Sequence, residues 1–209
     1  MVDNAHEQTP QTWFVATDGS EASDAAFEVA YKGLYRKDTD HFVVGHVSDR
    51  RKDYLPFNLR PEYLSEIYLS KIALAWAEKK GEYVNSEIDP SKSTKECVWE
   101  LAKEKHATII VTGMHGRKGL KADETVAGTA VQYLSLNSTL PIMIVKDPRM
   151  RSEKKNHAYK YAVLYDQSKQ SKKVLDIVLK LMTPQDEMWI ITCKEPKINV
   201  EGIHEEVTE

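Results

Sequence analysis

Five short apolar runs divide the first two thirds of the chain: WFVAT (13–17), HFVVGHV (41–47), EYVNSEI (82–88), ATIIVT (107–112) and PIMIV (141–145). Between them lie longer stretches with helical periodicity. In SEASDAAFEVAYKGL, Ala22, Ala25, Ala26, Val29, Ala30 and Leu34 recur on one face, with Ser20 placed as the cap and Glu21 in the positive first turn. PEYLSEIYLSKIALAWAEKKG reads as a long helix stopped by glycine. SKSTKECVWELAKEKH has Val98, Leu101 and Ala102 on one face, and TAVQYLSLN reads as a further helix. Strands alternating with helices leave a chain few choices. Right-handed crossovers make the strands parallel, and the helices cover both faces of the sheet. The unbroken run ATIIVT suits a strand buried on both sides. Residues 12–147 are therefore expected to form one α/β domain.

The chain then restarts. After the charged linker KDPRMRSEKKNH come YAVLYDQSKQSKKVLDIVLKLM and MWIITC. Val15, Asp18, Ser20 and Ser23 recur as Val163, Asp166, Ser168 and Ser171, each 148 positions on. A recurring strand, Asp-x-Ser, helix and strand at one offset points to an internal repeat, although any two βαβ beginnings share some of that order. The second unit, 158–209, stops after β-α-β. A segment of about 50 residues with one helix buries too little apolar surface to stand alone, so it needs the first unit, another subunit or further chain to lean on. Its acidic tail KEPKINVEGIHEEVTE is expected to be disordered.

One stretch carries chemistry. GMHGRKGLKADETVAGTA (113–130) follows strand ATIIVT and runs into helix TAVQYLSL. Glycine after a parallel strand lets the backbone turn sharply and lets a ligand approach. The helix start at Gly128-Thr129 offers unpaired N–H groups and the positive end of the helix dipole, a natural anion site. The Thr129 hydroxyl adds a donor, and Lys118 and Lys121 add mobile positive charge. Ligands in such folds gather at the carboxyl ends of the strands where strand order reverses. Spacing alone also allows a glycine turn with a capped helix and no ligand, for this is neither GxxxxGK[ST] nor GxGxxG.

The whole pattern is more specific. FVATDGSEASDAA at the first strand–helix junction, VVGHV as strand two, and ELAKEKHATIIVTGMHG leading to a glycine loop and PIMIV resemble the universal stress protein family. The resemblance implies a Rossmann-like, three-layer parallel sheet of order 3-2-1-4-5, with the partial βαβ unit added. It implies an adenine-nucleotide site for ATP, with Mg²⁺ or Mn²⁺ accompanying the phosphates. The backbone of Ala16 and Thr17 with Asp18 would line the adenosine pocket, and Val47 would offer backbone groups to the adenine edge. Thr112, Gly113, His115 and Gly116 would flank ribose and phosphates. Gly128, Thr129, Ala130 and Val131 would hold the phosphates. The family's nucleotide-binding branch places nine residues between its second and third glycines, whereas eleven lie between Gly116 and Gly128 here. Asp18 also fits an Asx turn that needs no ligand. The resemblance further implies pairing through the 141–145 strand, in a homodimer or a larger assembly.

Totals exclude several classes. A net charge of -3 gives no general pull toward nucleic acid. Two cysteines, Cys97 and Cys193, lack metal or disulfide spacing, which suits a reducing compartment. The start MVDNAHEQTPQTW has no apolar signal core, and no run approaches the roughly 20 apolar residues of a spanning helix, so a cytoplasmic location without membrane contact is expected. No nucleophile–base pair or HExxH is present, so an enzyme is not expected, beyond slow ATP hydrolysis. His46, on an apolar strand, reads as a satisfied core residue. Two functions stand: a nucleotide-binding regulatory or stress-response module, and a structural or adaptor subunit that keeps the fold with weak or no nucleotide binding.

Overall fold

Wherever the sequence alternates short apolar runs with amphipathic stretches, the chain forms alternating strands and helices. A computed structural model describes residues 10–36, 38–52, 54–75, 81–117, 126–146 and 158–192. The chain divides into two compact units, Met1–Lys154 and Lys155–Glu209.

The first unit runs β1 (Thr12–Thr17), α1 (Glu21–Glu28), β2 (His41–Ser48), α2 (Pro61–Ala75), β3 (Gly81–Glu87), α3 (Thr94–Glu104), β4 (Ile109–Gly113), α4 (Thr129–Asn137) and β5 (Ile142–Val145). The strands form one sheet of order β3-β2-β1-β4-β5. Every neighbouring pair is parallel, with Thr17 opposite His46 and Val15 opposite Val111. This is the expected Rossmann-like arrangement, and strand order reverses at β1/β4. The expected helix over 20–34 is α-helical only to Glu28 and widens into a π-helical turn over Val29–Leu34. That turn and the residue that ends it present Tyr31 and Tyr35 edge-on to the Phe42 ring, at centroid distances of 5.8 and 5.3 Å. The end of the expected long helix after Ala75 lies outside the described residues, as does the linker after Lys146.

Side chains alternate across the sheet and find helices on both faces. On one face Phe14, Val43, Val47 and Ile110 pack with Cys97, Leu101 and Ala102 of α3 and Leu134 of α4. On the other, Phe27 of α1 lies 5.7 Å from the Phe42 ring and 5.3 Å from Tyr68 of α2. Each such large apolar side chain stabilises by about 1.5–3 kcal/mol when fully buried. The entry to β2 is held by a buried carboxylate: Asp40 accepts from Trp13 Nε1 at 2.9 Å, Gln11 N at 3.0 Å and Arg36 Nη2 at 2.8 Å. Helix ends are capped locally. Glu96 Oε2 accepts from the Ser93 amide at 2.7 Å at the start of α3. At its end His106, with φ 52°, turns the chain so that its N–H reaches the Lys103 carbonyl at 3.0 Å and that of Ala107 reaches Ala102 at 3.0 Å.

The second unit has β6 (Lys160–Leu164), α5 (Lys169–Leu181) and β7 (Glu187–Ile191), with β6 and β7 paired in parallel. Its beginning repeats the cap hydrogen bonds of the first unit. Asp166 Oδ1 accepts from Ser168 N at 2.9 Å, and Ser168 Oγ accepts from Ser171 N at 3.1 Å. Gln167, at φ 63°, takes the place of Gly19, at φ 79°. One sheet face packs Val163, Tyr165 and Leu175 with Val178, Met188 and Ile190. The other leaves Leu164, Trp189 and Ile191 at 73%, 56% and 44% exposure. The acidic tail lies outside the described residues.

Candidate functional site

The carboxyl ends of β1 and β4 lie side by side, because these strands pair at the point where sheet order reverses. β1 delivers Asp18 and the α1 cap. Asp18 Oδ1 accepts from Ser20 N at 3.0 Å, the Asx turn that its sequence position allows. Ser20 Oγ in turn accepts from Ser23 N at 3.2 Å, and Gly19 turns between them with φ 79°. The other oxygen, Asp18 Oδ2, accepts from the Arg117 amide at 2.9 Å. The carboxylate thus bridges the β1 exit and the β4 exit, with lone pairs still open to a donor.

The glycines are shaped by close approach. A Cβ on Gly113 would stand 2.4 Å from the Ala22 carbonyl, so glycine is what lets the end of β4 pack against the start of α1. A Cβ on Gly116 would stand 2.8 Å from Asp18 Oδ2. Gly128 N–H donates to the Met114 carbonyl at 2.9 Å, which joins the two ends of the loop. Gly128 also caps α4, and the helix's first internal bond is from Gln132 N to the Gly128 carbonyl. The amides of Thr129, Ala130 and Val131 therefore head the helix without intrahelical partners. Thr129 and Ala130 are exposed, whereas the Val131 side chain is 3% exposed in the core, so it can offer only its backbone. Among the described residues of the loop, the buried His115 Nδ1 and Arg117 Nη1 have no hydrogen-bond partner.

The remaining expected residues are placed as follows. Ala16 and Thr17 end β1, and Thr17 Oγ1 donates to the Gly45 carbonyl at 3.3 Å. Thr112 is buried and its hydroxyl donates to the Gly113 carbonyl at 3.3 Å. The Val47 side chain belongs to the core, leaving its backbone for any ligand. Lys118 and Lys121 lie outside the described residues. Among the described residues Arg117 brings positive charge to the site, with its Nε 3.9 Å from Asp18 Oδ2. The signal was a basic residue directly after a loop glycine. His46 is the buried residue that its apolar strand implies, held through Nδ1 at 2.8 Å from the Thr17 carbonyl. Burial pushes its pKa down from the ordinary imidazole value. Among the described residues, no group of His, Cys, Asp or Glu side chains could hold a metal by itself. Among them, too, no helix is long and apolar enough to cross a membrane. The arrangement can hold an anion on the α4 amides, beside a fixed carboxylate acceptor and a guanidinium.

Comparison with known proteins agrees with the fold. A universal stress protein from Archaeoglobus fulgidus superposes with a TM-score of 0.63 at 19% identity, covering 95% of this chain and 72% of that one. The hypothetical protein MJ0577 superposes with a TM-score of 0.50 at 21% identity, over 66% of this chain and 96% of that one. A universal stress protein family protein from Arabidopsis thaliana, solved with AMP bound, has a TM-score of 0.48 at 16% identity over 66% of this chain and 92% of that one. No curated protein matches the sequence. The family model "Universal stress protein family" matches residues 12–146, and the chain belongs to that family.

Proposed function

We propose that the first unit binds an adenine nucleotide, ATP, as a regulatory, stress-response module rather than as an enzyme of turnover. The observation that carries this reading is the convergence at the β1/β4 reversal of the Asp18 carboxylate, the close-packed glycines and the free amides of α4. The Thr129, Ala130 and Val131 amides and the Thr129 hydroxyl hold phosphate oxygens, and Gly113, Gly116 and Gly128 allow the close approach. Asp18 accepts from a ribose hydroxyl, beside the backbone of Ala16, Thr17 and Thr112. Val47 offers backbone groups to the adenine edge, and His115 Nδ1, buried and unpartnered, supplies a further contact. Mg²⁺ or Mn²⁺ arrives on the phosphates. The site supplies acceptors, amides and one guanidinium, a binding set without a paired nucleophile and base.

The test is calorimetric titration of the full chain with ATP. Gly128→Val abolishes binding, because its side chain enters space where even a Cβ is 3.3 Å from the Met114 carbonyl and projects toward the phosphates. An absence of ATP binding by the wild-type chain refutes the reading.

A second reading, a structural or adaptor subunit, is favoured by one observation: the outer face of the β6–β7 sheet exposes Leu164, Trp189 and Ile191. Parallel sheets are normally covered on both faces, so such a face suits a partner. We also propose that residues 158–209 are a partial second copy of the first unit, as the shared Asp-x-Ser caps support. β5 lies at the edge of its sheet, where an unpaired strand is a natural site for a homodimer or assembly contact.

A further inference from the structure

Beside the β1/β4 site, a cleft of about 670 Å³ opens between the carboxyl ends of β2 and β3 and the connection from β2 to α2. We propose that it is a second small-molecule site, shaped for an organic anion with a flat apolar body, a phosphate ester or a carboxylate. It adjoins the nucleotide site and shares only Arg117 with it. Successive strand residues point to opposite faces, so His46 and Ser48, which line the cleft, project away from Val47. Arg117 alone joins the cleft to the loop that holds Asp18.

Among the described lining residues the cations outnumber the carboxylates. Among the charged lining residues Arg50 pairs with Glu87, and Lys52 lies 3.5 Å from Asp49. Arg60 and Glu62 balance in sign, and Arg117 turns its Nε to Asp18 Oδ2 at 3.9 Å while its Nη1 makes no hydrogen bond. Its amide is fixed on Asp18 at 2.9 Å, while its Nη1 is buried with no partner. A buried guanidinium N–H without an acceptor is costly, and an anion in the cleft satisfies it.

The cleft also offers an acceptor. The Thr17 carbonyl can only accept, so the 2.8 Å contact means that His46 Nδ1 carries the proton. His46 is 2% exposed, and burial favours its neutral form. The Nε2 atom then presents a lone pair, suited to a hydroxyl or amino donor on the ligand. Leu55, Leu59 and Pro61 give the wall apolar surface beside the polar Ser48 and Asn85. Phe57 stands at the rim, 65% exposed and tilted against Tyr63 at 5.0 Å, with ring surface left for a flat ligand. The volume is within the range of ordinary small-molecule sites, about 300–1,000 Å³.

The test is titration of the ¹⁵N-labelled full chain with phenyl phosphate, followed by amide NMR shifts. Benzoate tests the carboxylate form, and inorganic phosphate tests the anion alone. The expected result is saturable shifts at Ser48, Leu55, Phe57, Asn85 and Arg117 that persist in saturating ATP, with inorganic phosphate binding more weakly. Arg117→Gln keeps the backbone N–H that Asp18 accepts and weakens phenyl phosphate binding about tenfold or more, the loss expected for a charge-assisted hydrogen bond. Phe57→Ala, at an exposed position, weakens binding without disturbing the fold. No saturable shifts at these amides, equal binding of inorganic phosphate, or displacement of phenyl phosphate by ATP from the same amides would each overturn the proposal. Phenyl phosphate binding in a chain that ignores ATP leaves the cleft standing and refutes the nucleotide reading instead.

Discussion

Gly116→Ala probes whether the Asp18 carboxylate must stand where it does. An added Cβ lies 2.8 Å from Asp18 Oδ2, closer than side-chain carbons come to carboxylate oxygens. The carboxylate cannot simply swing aside, because Ser20 N holds Oδ1 at 3.0 Å and Arg117 N holds Oδ2 at 2.9 Å. The substitution therefore breaks the Oδ2 contact. A hydrogen bond to a charged group contributes about 1.5–3 kcal/mol. Asp18 is 31% exposed, which places this one near 1 kcal/mol after screening by solvent. Alanine also restricts the unfolded chain, which offsets about 0.4–1 kcal/mol, so net stability changes little. Nucleotide affinity is the sharper readout. Moving the carboxylate away from a ribose hydroxyl costs about one charged hydrogen bond, roughly tenfold in Kd. Calorimetry on Gly116→Ala, Asp18→Asn and the double variant forms a cycle. Both single changes act through one carboxylate, so the double variant is expected to bind no more weakly than Asp18→Asn alone. Wild-type affinity in Gly116→Ala, or additive losses in the double variant, would refute the reasoning.

Other outcomes follow from the same geometry. His106 closes α3 at φ 52°, a conformation that favours glycine by roughly 1 kcal/mol, so His106→Gly should raise the urea midpoint of the first unit, and a lowered midpoint would contradict the cap. His46 resists protonation when folded, through burial first and the Arg117 and Lys52 charges after it, against the Thr17 bond and Asp18. The unfolded chain binds that proton below about pH 6.5, so this contribution is complete above 6.5 and is lost as pH falls toward the lower folded value. Urea midpoints on either side of pH 6.5 should show that slope, and His46→Gln should flatten it; Asp40, whose carboxyl is held below 3.8, acts only at more acid pH. Trp189→Lys, on the exposed outer face of β7, should leave helix content unchanged by circular dichroism and lower self-association by light scattering; loss of helix signal would show that face to be buried.

Much of this was legible in the residues themselves. Apolar runs such as ATIIVT carry their own burial, and β4 is buried along its whole length, because a parallel strand with helices on both faces tolerates no polar side. Ser20 announced its helix, and Ser168, its counterpart in the repeat, caps the next, since a cap is a local hydrogen bond needing no distant partner. The left-handed turn between Asp and Ser is a glycine at Gly19, but at Gln167 the fold holds a non-glycine residue in the glycine conformation. The π-helical turn after Glu28 was not legible either, for its periodicity reads as ordinary helix, and only the packing of Tyr31 and Tyr35 around Phe42 distinguishes it.

The sequence by itself determined the class of fold, the elements and the glycine–threonine stretch, because periodicity, capping and backbone freedom are properties of neighbours in the chain. It also pointed to the family, which the match over residues 12–146 bears out. Tertiary structure alone decided that Arg117, 99 positions from Asp18, closes on its carboxylate. It likewise set the tautomer of His46 through a carbonyl 29 positions away and opened a cleft between segments remote in sequence. Those contacts depend on which strand ends the sheet order brings together, and local sequence carries no record of that juxtaposition.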